Sequence, residues 1–263
     1  MDLRGSSVLL TGATGGIGHA IARELHRHGA SLVLTGRRTD VLEPLAAELA
    51  AAATAVDLAD RAAVDALLDE AGDVDVLVAN AALPASGDIL ALGVDQIDRA
   101  LEVNLRAPMV LSRVLAERMV RRGRGHIVLV SSLAGKSGQA AGSIYSATKF
   151  GLRGFGQGLR ADLAPRGVGV SVVFPGFIRD AGMFHDSGAK LPKGVGTSTP
   201  EEVAAAVARA IVADEGEVDV APLGMRVGTT FASVAPSLAA RVAKRLGGDR
   251  VAAQLADGQA DKR

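Results

Sequence analysis

Thr11-Gly12-Ala13-Thr14-Gly15-Gly16-Ile17-Gly18 is the stretch whose reading decides the fold. It follows an apolar run at 7–11 and precedes a stretch, 19–28, whose apolar residues recur at helical spacing. Strand, glycine-rich turn, helix is the order of a dinucleotide-binding unit. Glycine permits the tight turn and lets backbone N–H groups approach a diphosphate at the helix N-terminus. A glycine-rich turn by itself also serves as a plain strand-to-helix connection, so its context has to decide.

The context repeats the pattern. Apolar, β-branched runs recur at 7–11, 31–35, 54–57, 74–80, 126–131, 169–174 and 217–221. Between them, helical spacing covers 19–28, 41–52, 61–71, 96–122, 143–163 and 200–213. Such alternation implies an α/β fold: a doubly wound, parallel, seven-stranded, Rossmann-like sheet with helices on both faces. The runs at 74–79, apolar but for Asp75, and at 127–130 suit strands buried on both sides. No linker and no internal repeat divides the chain. It reads as one catalytic domain over 1–222, a helical extension packed on it at 223–246, and a polar tail at 247–263.

Composition narrows the function. The 263 residues carry 29 basic and 29 acidic side chains, and this zero formal charge draws in neither nucleic acid nor an anionic membrane. There is no cysteine, which excludes disulfides, thiolate chemistry and Cys-ligated zinc, and no metal is expected. The first five residues lack the apolar stretch of a signal peptide, and no run of about 18 apolar residues suggests a membrane span. A cytoplasmic setting is expected.

Two further sites bear on chemistry. The second strand ends at Thr35-Gly36-Arg37-Arg38. In dinucleotide folds an acid near this point binds the ribose 2′-hydroxyl, and an arginine accommodates a 2′-phosphate. Here Gly36 stands where the acid would be, and two guanidinium groups follow, which favours NADP(H) over NAD(H). The chain's one tyrosine lies in Ser143-Ile144-Tyr145-Ser146-Ala147-Thr148-Lys149. In a helix, Tyr145 and Lys149 share a face one turn apart. A nearby ammonium favours the phenolate, so the phenol is expected to ionise below its ordinary value of about 10.

Taken together, these motifs resemble the short-chain dehydrogenase/reductase family, in its compact single-domain branch, over about residues 5–222. Thr11-Gly12 with Gly16-Ile17-Gly18 matches the family's cofactor turn. Asp57-Leu58 matches the acidic position that meets adenine, and Ala79-Asn80-Ala81-Ala82 corresponds to its Asn-Asn-Ala-Gly. Asn104, Ser132, Tyr145 and Lys149 match the catalytic tetrad, and Pro175-Gly176 ends the sixth strand as in the family.

The resemblance implies hydride transfer between nicotinamide and a carbonyl or alcohol carbon. It makes Tyr145 the general acid/base, Ser132 the stabiliser of the substrate oxygen, Lys149 the group that lowers the phenol pKa and bonds the nicotinamide ribose, and Asn104 the holder of a relay water. The cofactor contacts it implies are Gly12, Thr14, Gly15, Gly16, Ile17, Gly18, Arg37, Arg38, Asp57, Leu58, Asn80, Ala81, Tyr145, Lys149, Pro175, Gly176 and Ile178. Ser131 is an alternative to Ser132, although the thirteen-residue spacing to Tyr145 favours Ser132. Asn104 has a plainer alternative as a backbone-bonding helix residue. His126 reads as structural and His185 as a surface histidine.

The chain also departs from the family. Ala79 and Ala82 replace an asparagine and a glycine, and Asp180 stands where the family often has a threonine that holds the nicotinamide amide. The extension carries Val227, Phe231, Val234, Leu238, Val242 and Leu246 at helical intervals, with Arg241, Lys244 and Arg245 on another side. Packing on the body is the expected outcome for such a stripe, ahead of a subunit contact or a membrane surface that few aromatics would anchor. Gly151, Gly154, Gly156 and Gly158 weaken the tyrosine helix by roughly 1 kcal/mol each unless another backbone approaches closely. Relatives dimerise through this helix and the long one before it, so a homodimer is expected, with a tetramer as the extension of it.

The segment 177–199 reads as an apolar lid containing Phe177, Ile178, Met183, Phe184 and Leu191, which suggests a small hydrophobic carbonyl or alcohol substrate. Two other functions suit the fold. A non-catalytic dinucleotide sensor would tend to lose Tyr145 or Lys149, and an epimerase or dehydratase would tend to carry a larger C-terminal domain.

Overall fold

The computed structural model describes every residue except Lys193, Leu246 and Arg263. Seven strands form one parallel sheet: β1 (Ser7–Thr11), β2 (Ser31–Gly36), β3 (Ala52–Ala55), β4 (Val76–Ala79), β5 (Gly125–Val130), β6 (Val168–Pro175) and β7 (Glu217–Val220). Their spatial order is β3-β2-β1-β4-β5-β6-β7. The direction of winding reverses between β1 and β4. A crevice therefore opens outside the C-terminal ends of these strands, where such folds bind ligands.

Strand alternation divides the core into two layers. Val8 and Leu10 of β1, Val76 and Val78 of β4 and Val128 and Val130 of β5 point to one face. There they meet Ile21 and Leu25 of α1 (Gly16–Arg27) and Val203, Val207 and Ile211 of α8 (Pro200–Ala213). Leu9, Leu77, Ile127 and Leu129 point to the other face, against Leu67 of α3 (Arg61–Ala71) and Leu111, Leu115 and Met119 of α5 (Ala107–Arg122). Period-two alternation in strands that look uniformly apolar is what a sheet covered on both sides demands.

Several expected boundaries move. β3 occupies 52–55 rather than 54–57, because Ala52 pairs with Val33 and Ala55 with Gly36. Helix α2 (Thr39–Glu48) therefore stops before residue 49 instead of reaching 52. β4 is confined to 76–79, and Asn80 ends it by turning its side chain back onto the carbonyls of Thr11 and Gly12.

The long helix expected over 96–122 is two helices, α4 (Val94–Leu101) and α5, joined by a π turn at Glu102–Arg106. Pro108 accounts for the break. It donates no N–H, and its ring would press on the carbonyl of Asn104, four residues earlier, in a regular helix. Short π turns recur at functional positions.

Helix α6 (Ser143–Leu163) carries the tyrosine and packs on β6. Two of its glycines answer to packing: a Cβ on Gly156 would lie 2.4 Å from Val172, and one on Gly151 would lie 2.9 Å from Leu105. Gly154 and Gly158 face open space.

The extension forms α9 (Leu223–Val234), α10 (Pro236–Arg245) and α11 (Gly248–Gly258). The stripe that was expected to pack on the body points outward: Val227, Phe231, Val234, Leu238 and Val242 are all exposed, and Leu246 lies outside the described residues. The inward side uses smaller contacts, with Met225 against the core and Ser233 Oγ donating to the Lys136 carbonyl. Among the described residues, no helix is long and apolar enough to cross a membrane.

Candidate active site

The crevice at the switch point is a cleft of about 810 Å³. Gly12, Thr14, Gly15, Gly16, Ile17 and Gly18 form its floor, and Gly36, Arg37 and Arg38 close one side. Gly12 has φ +69°, and a Cβ there would lie 2.7 Å from the Ala81 Cα. A Cβ on Gly18 would reach within 2.1 Å of the Gly12 carbonyl. Only glycine lets the turn close this tightly onto the start of α1, leaving the helix N-terminus bare for an anion. The cradle fits a dinucleotide diphosphate.

The second-strand end is equally specific. A Cβ on Gly36 would lie 2.6 Å from Thr14 Cγ2, so any acid at that position would collide with Thr14. Arg37 is exposed, lines the cleft and makes no hydrogen bond among the described residues. Arg38 differs: its guanidinium donates to the Thr14 carbonyl and braces the turn.

Asp57 and Leu58 line the cleft as expected. Burial alone would raise the Asp57 carboxyl, but the Ala59 N–H and the Arg99 guanidinium at 2.7 Å together hold it below the usual carboxylate value. Arg99 had no signal in the sequence. Asn80 and Ala81 line the cleft too, and both backbone N–H groups donate to Thr11 Oγ1 at 3.1 Å, which ties the ends of β1 and β4.

The second cluster lies at the C-terminal end of β5. Ser132 Oγ donates to the Pro175 carbonyl at 3.4 Å and accepts from the Ala134 N–H at 3.2 Å. Ser131 faces the other way and donates to the Lys149 carbonyl at 2.9 Å. Lys149 is 1% exposed, and its Nζ donates to the Val130 carbonyl at 3.0 Å while lying 5.6 Å from the centre of the Tyr145 ring.

Here an expectation reverses. Burial pushes the half-buried Tyr145 up to about 12, with the Ser132 hydroxyl pulling weakly the other way. Burial also pushes Lys149 down to about 8. Both groups lose water, and for each the neutral form gains. The ammonium over the ring does not outweigh that loss.

Asn104 is fully buried in the π turn. Its side chain makes a two-way bond with the backbone of Leu83: Oδ1 accepts at 2.6 Å and Nδ2 donates at 2.9 Å. Each end of the amide is thus held once by the Leu83 backbone. Pro175 accepts from Ser132 Oγ at 3.4 Å, and the Gly176 N–H donates to the Val220 carbonyl at 3.0 Å. Ile178 is buried in the core and bridges Ser198, away from the cleft wall.

Asp180, at φ +70°, is an exposed cleft residue paired with Arg179 at 3.4 Å. His185 is exposed beside Asp186. His126, by contrast, is buried against Ser171 at 2.8 Å, as a structural histidine should be.

The C-terminal segment adds a further wall to the cleft. Gln259 and Asp261, beyond α11, line it opposite Gly16 and Ile17.

Comparison with known proteins agrees with this geometry. A family model described as short chain dehydrogenase matches residues 6–192. The ketoacyl reductase HetN of Nostoc sp. (strain PCC 7120 / SAG 25.82 / UTEX 2576) is 38% identical over 218 residues, which span 80% of this chain and 76% of that protein. A short-chain dehydrogenase from Sphingobium yanoikuyae in complex with NADPH superposes with a TM-score of 0.74 at 31% identity, covering 81% of this chain and 87% of that one. The 3-ketoacyl-(acyl-carrier-protein) reductase from Brucella melitensis complexed with NADH gives a TM-score of 0.75 at 28% identity, covering 83% and 97%.

Proposed function

The chain belongs to the short-chain dehydrogenase family, and from that premise we propose that it is an NADP(H)-dependent reductase of hydrophobic ketones or aldehydes, running in reverse on secondary alcohols. The observation that carries this reading is the buried Lys149 ammonium 5.6 Å from the centre of the Tyr145 ring, at the same C-terminal edge of the sheet as the glycine cradle. Ketoacyl compounds are the favoured substrates within that class, since several similar proteins are named as ketoacyl reductases.

When bound, the nicotinamide supplies or accepts the hydride. The chain's own residues handle the oxygen and its proton. Ser132 hydrogen-bonds the substrate oxygen and stabilises charge developing there. Tyr145 gives that oxygen its proton in reduction and takes it back in oxidation. A phenol held near 12 stays protonated at neutral pH, which favours the donating direction. Lys149, pinned by the Val130 carbonyl, keeps an ammonium beside the phenol below about pH 8. The exposed Arg37 guanidinium suits a 2′-phosphate, and Gly36 leaves no acid to favour the hydroxyl.

We also favour a homodimer. Phe150, Gly154 and Gly158 lie four residues apart on the outward side of α6, the phenylalanine exposed and both glycines facing open space. The solution mass at micromolar concentration tests this, and a monomer would defeat it.

The function is tested with a panel of 3-oxoacyl esters, aliphatic ketones and secondary alcohols against NADPH, NADH and their oxidised forms. Turnover should prefer NADPH and fall roughly 10²- to 10⁴-fold in Tyr145→Phe. Equal turnover in that variant would remove Tyr145 from the chemistry.

A further inference from the structure

The C-terminal tail crosses the lid and reaches the cleft at Gln259 and Asp261. Helix α11 packs on the short lid helix α7 (Gly182–Ser187) so closely that a Cβ on Gly258 would lie 2.2 Å from the Ser187 carbonyl. Gln254 Oε1 accepts from the Lys190 N–H at 2.9 Å, which fixes the next stretch of the lid. The lid in turn sits on the glycine turn: a Cβ on Gly16 would overlap the Ala181 side chain at 2.3 Å. Tail, lid and diphosphate cradle are therefore one stack.

Gln259 lies within this stack. It is only 5% exposed, it lines the cleft, and its Nε2 donates to the Met183 carbonyl at 3.3 Å. Its Oε1 is buried and has no hydrogen-bond partner among the described residues. A buried acceptor without a donor is costly, and native proteins rarely keep one without a use. Turning the amide over would not help, because Nε2 would then lose the Met183 carbonyl. The atom calls for an N–H or O–H arriving from the cleft.

We propose that the C-terminal tail is part of the dinucleotide site and that Gln259 Oε1 accepts a hydrogen bond from the bound cofactor. The inference rests on the reading of this cleft as a nicotinamide dinucleotide site. A diphosphate carries no donor at neutral pH, so the partner is the carboxamide N–H, the adenine amino group or a ribose hydroxyl. The tail thereby couples cofactor occupancy to the lid: the same side chain holds Met183 of α7 with its nitrogen and the ligand with its oxygen.

Calorimetric titration of the full chain with NADP⁺ and with its 3-acetylpyridine analogue, whose ketone lacks the carboxamide N–H, tests this. In Gln259→Ala the Kd for NADP⁺ should rise roughly three- to tenfold, the size of one net hydrogen bond. Removing the orphaned acceptor offsets the loss of the 3.3 Å bond to the Met183 carbonyl, so the thermal midpoint of the empty protein should change little. If the analogue binds wild type and variant alike, the donor is the carboxamide. If the gap persists, the donor is a ribose hydroxyl or the adenine amino group. An unchanged Kd overturns the proposal, and so does a raised Kd that accompanies a clearly lower melting temperature of the empty variant, since packing alone would then explain it. Either result leaves the reductase reading intact. Failure of the wild-type protein to bind any dinucleotide would remove both.

Discussion

The Ser131 hydroxyl donates to the main-chain carbonyl of Lys149 at 2.9 Å, so the residue beside the reactive serine ties β5 to the helix bearing the acid. Neighbouring residues on an extended strand point to opposite sides, so two adjacent serines cannot share one task. Ser131→Ala should remove one buried hydrogen bond, while the Lys149 carbonyl keeps its partner within α6, and lower stability by about 0.5–1.5 kcal/mol, with a smaller effect on turnover. Ser132→Ala should do the opposite: stability near wild type, turnover down roughly 10²-fold or more. Chemical denaturation and steady-state rates on both variants check the division. Equal rate losses in the two would show that Ser131 acts in the chemistry as well.

Tyr145 is the only tyrosine in 263 residues, so its ionisation can be followed by ultraviolet absorbance without interference. In the empty protein it should titrate near 12, and in the denatured chain near 10. The folded pKa is the higher one, so between about 10 and 12 the folded state keeps a proton that the unfolded state has lost, and stability falls as pH rises. Lys149 works in the opposite sense. Its folded pKa of about 8 lies below the ordinary 10.5, so stability rises with pH across that window. Saturating NADP⁺ adds positive charge near the phenol and should bring the tyrosine midpoint down. A midpoint at or below 10 in the empty protein would show that Lys149 already outweighs burial.

The two arginines after Gly36 should separate cleanly. Arg37 makes no hydrogen bond among the described residues and acts on Asp57 only through its charge, whereas Arg38 is committed to the Thr14 carbonyl. Hydrogen bonds to charged groups contribute about 1.5–3 kcal/mol, so Arg37→Ala should raise the KM for NADPH roughly ten- to a hundredfold and leave that for NADH nearly unchanged. Arg38→Ala loosens the turn that both cofactors use and should weaken both alike. A variant at Arg37 that still prefers NADPH would move the phosphate contact to another residue.

The parts of the molecule that were readable in advance are those that local chemistry dictates. The strands announce themselves through β-branched runs, the cradle through Gly12, Gly16 and Gly18, and the acid through Tyr145 and Lys149. Three things were not readable. The break at Glu102–Arg106 depends on Pro108 and on the demand of Asn104 for the Leu83 backbone, a contact across 21 residues. The sign of the Tyr145 shift depends on how completely the folded chain excludes water, which no four-residue motif encodes. Gln259 reaches the cleft only because α11 doubles back over the lid, and nothing in a polar tail signals that path. The apolar stripe of α9 and α10 was legible as a pattern, but periodicity fixes a face and says nothing of its direction.

His126 supplies an acid-side prediction independent of the active site. Its Nε2 lies 2.8 Å from Ser171 Oγ, and Ser171 donates to the Glu215 carbonyl at 2.6 Å, so His126 is the donor in the first bond and carries its proton on Nε2. A second proton would go on Nδ1, which faces Asp214 at 4.0 Å. Burial dominates and lowers the imidazole to about 4. Asp214 pulls it up, while the N-terminal ammonium and Arg160 push it further down. The unfolded chain therefore takes up a proton near pH 6.5, well before the folded one does, and stability falls as pH drops from about 6.5 toward 4. At 1.36 kcal/mol per pKa unit this amounts to about 3 kcal/mol. His126→Gln keeps a donor for Ser171 and cannot titrate. Urea denaturation at a series of pH values should show wild type losing about 3 kcal/mol more than the variant across that interval, whatever the carboxylates contribute to both. Parallel curves would mean that His126 protonates in place without cost, and that the cavity beside Asp214 admits the charge.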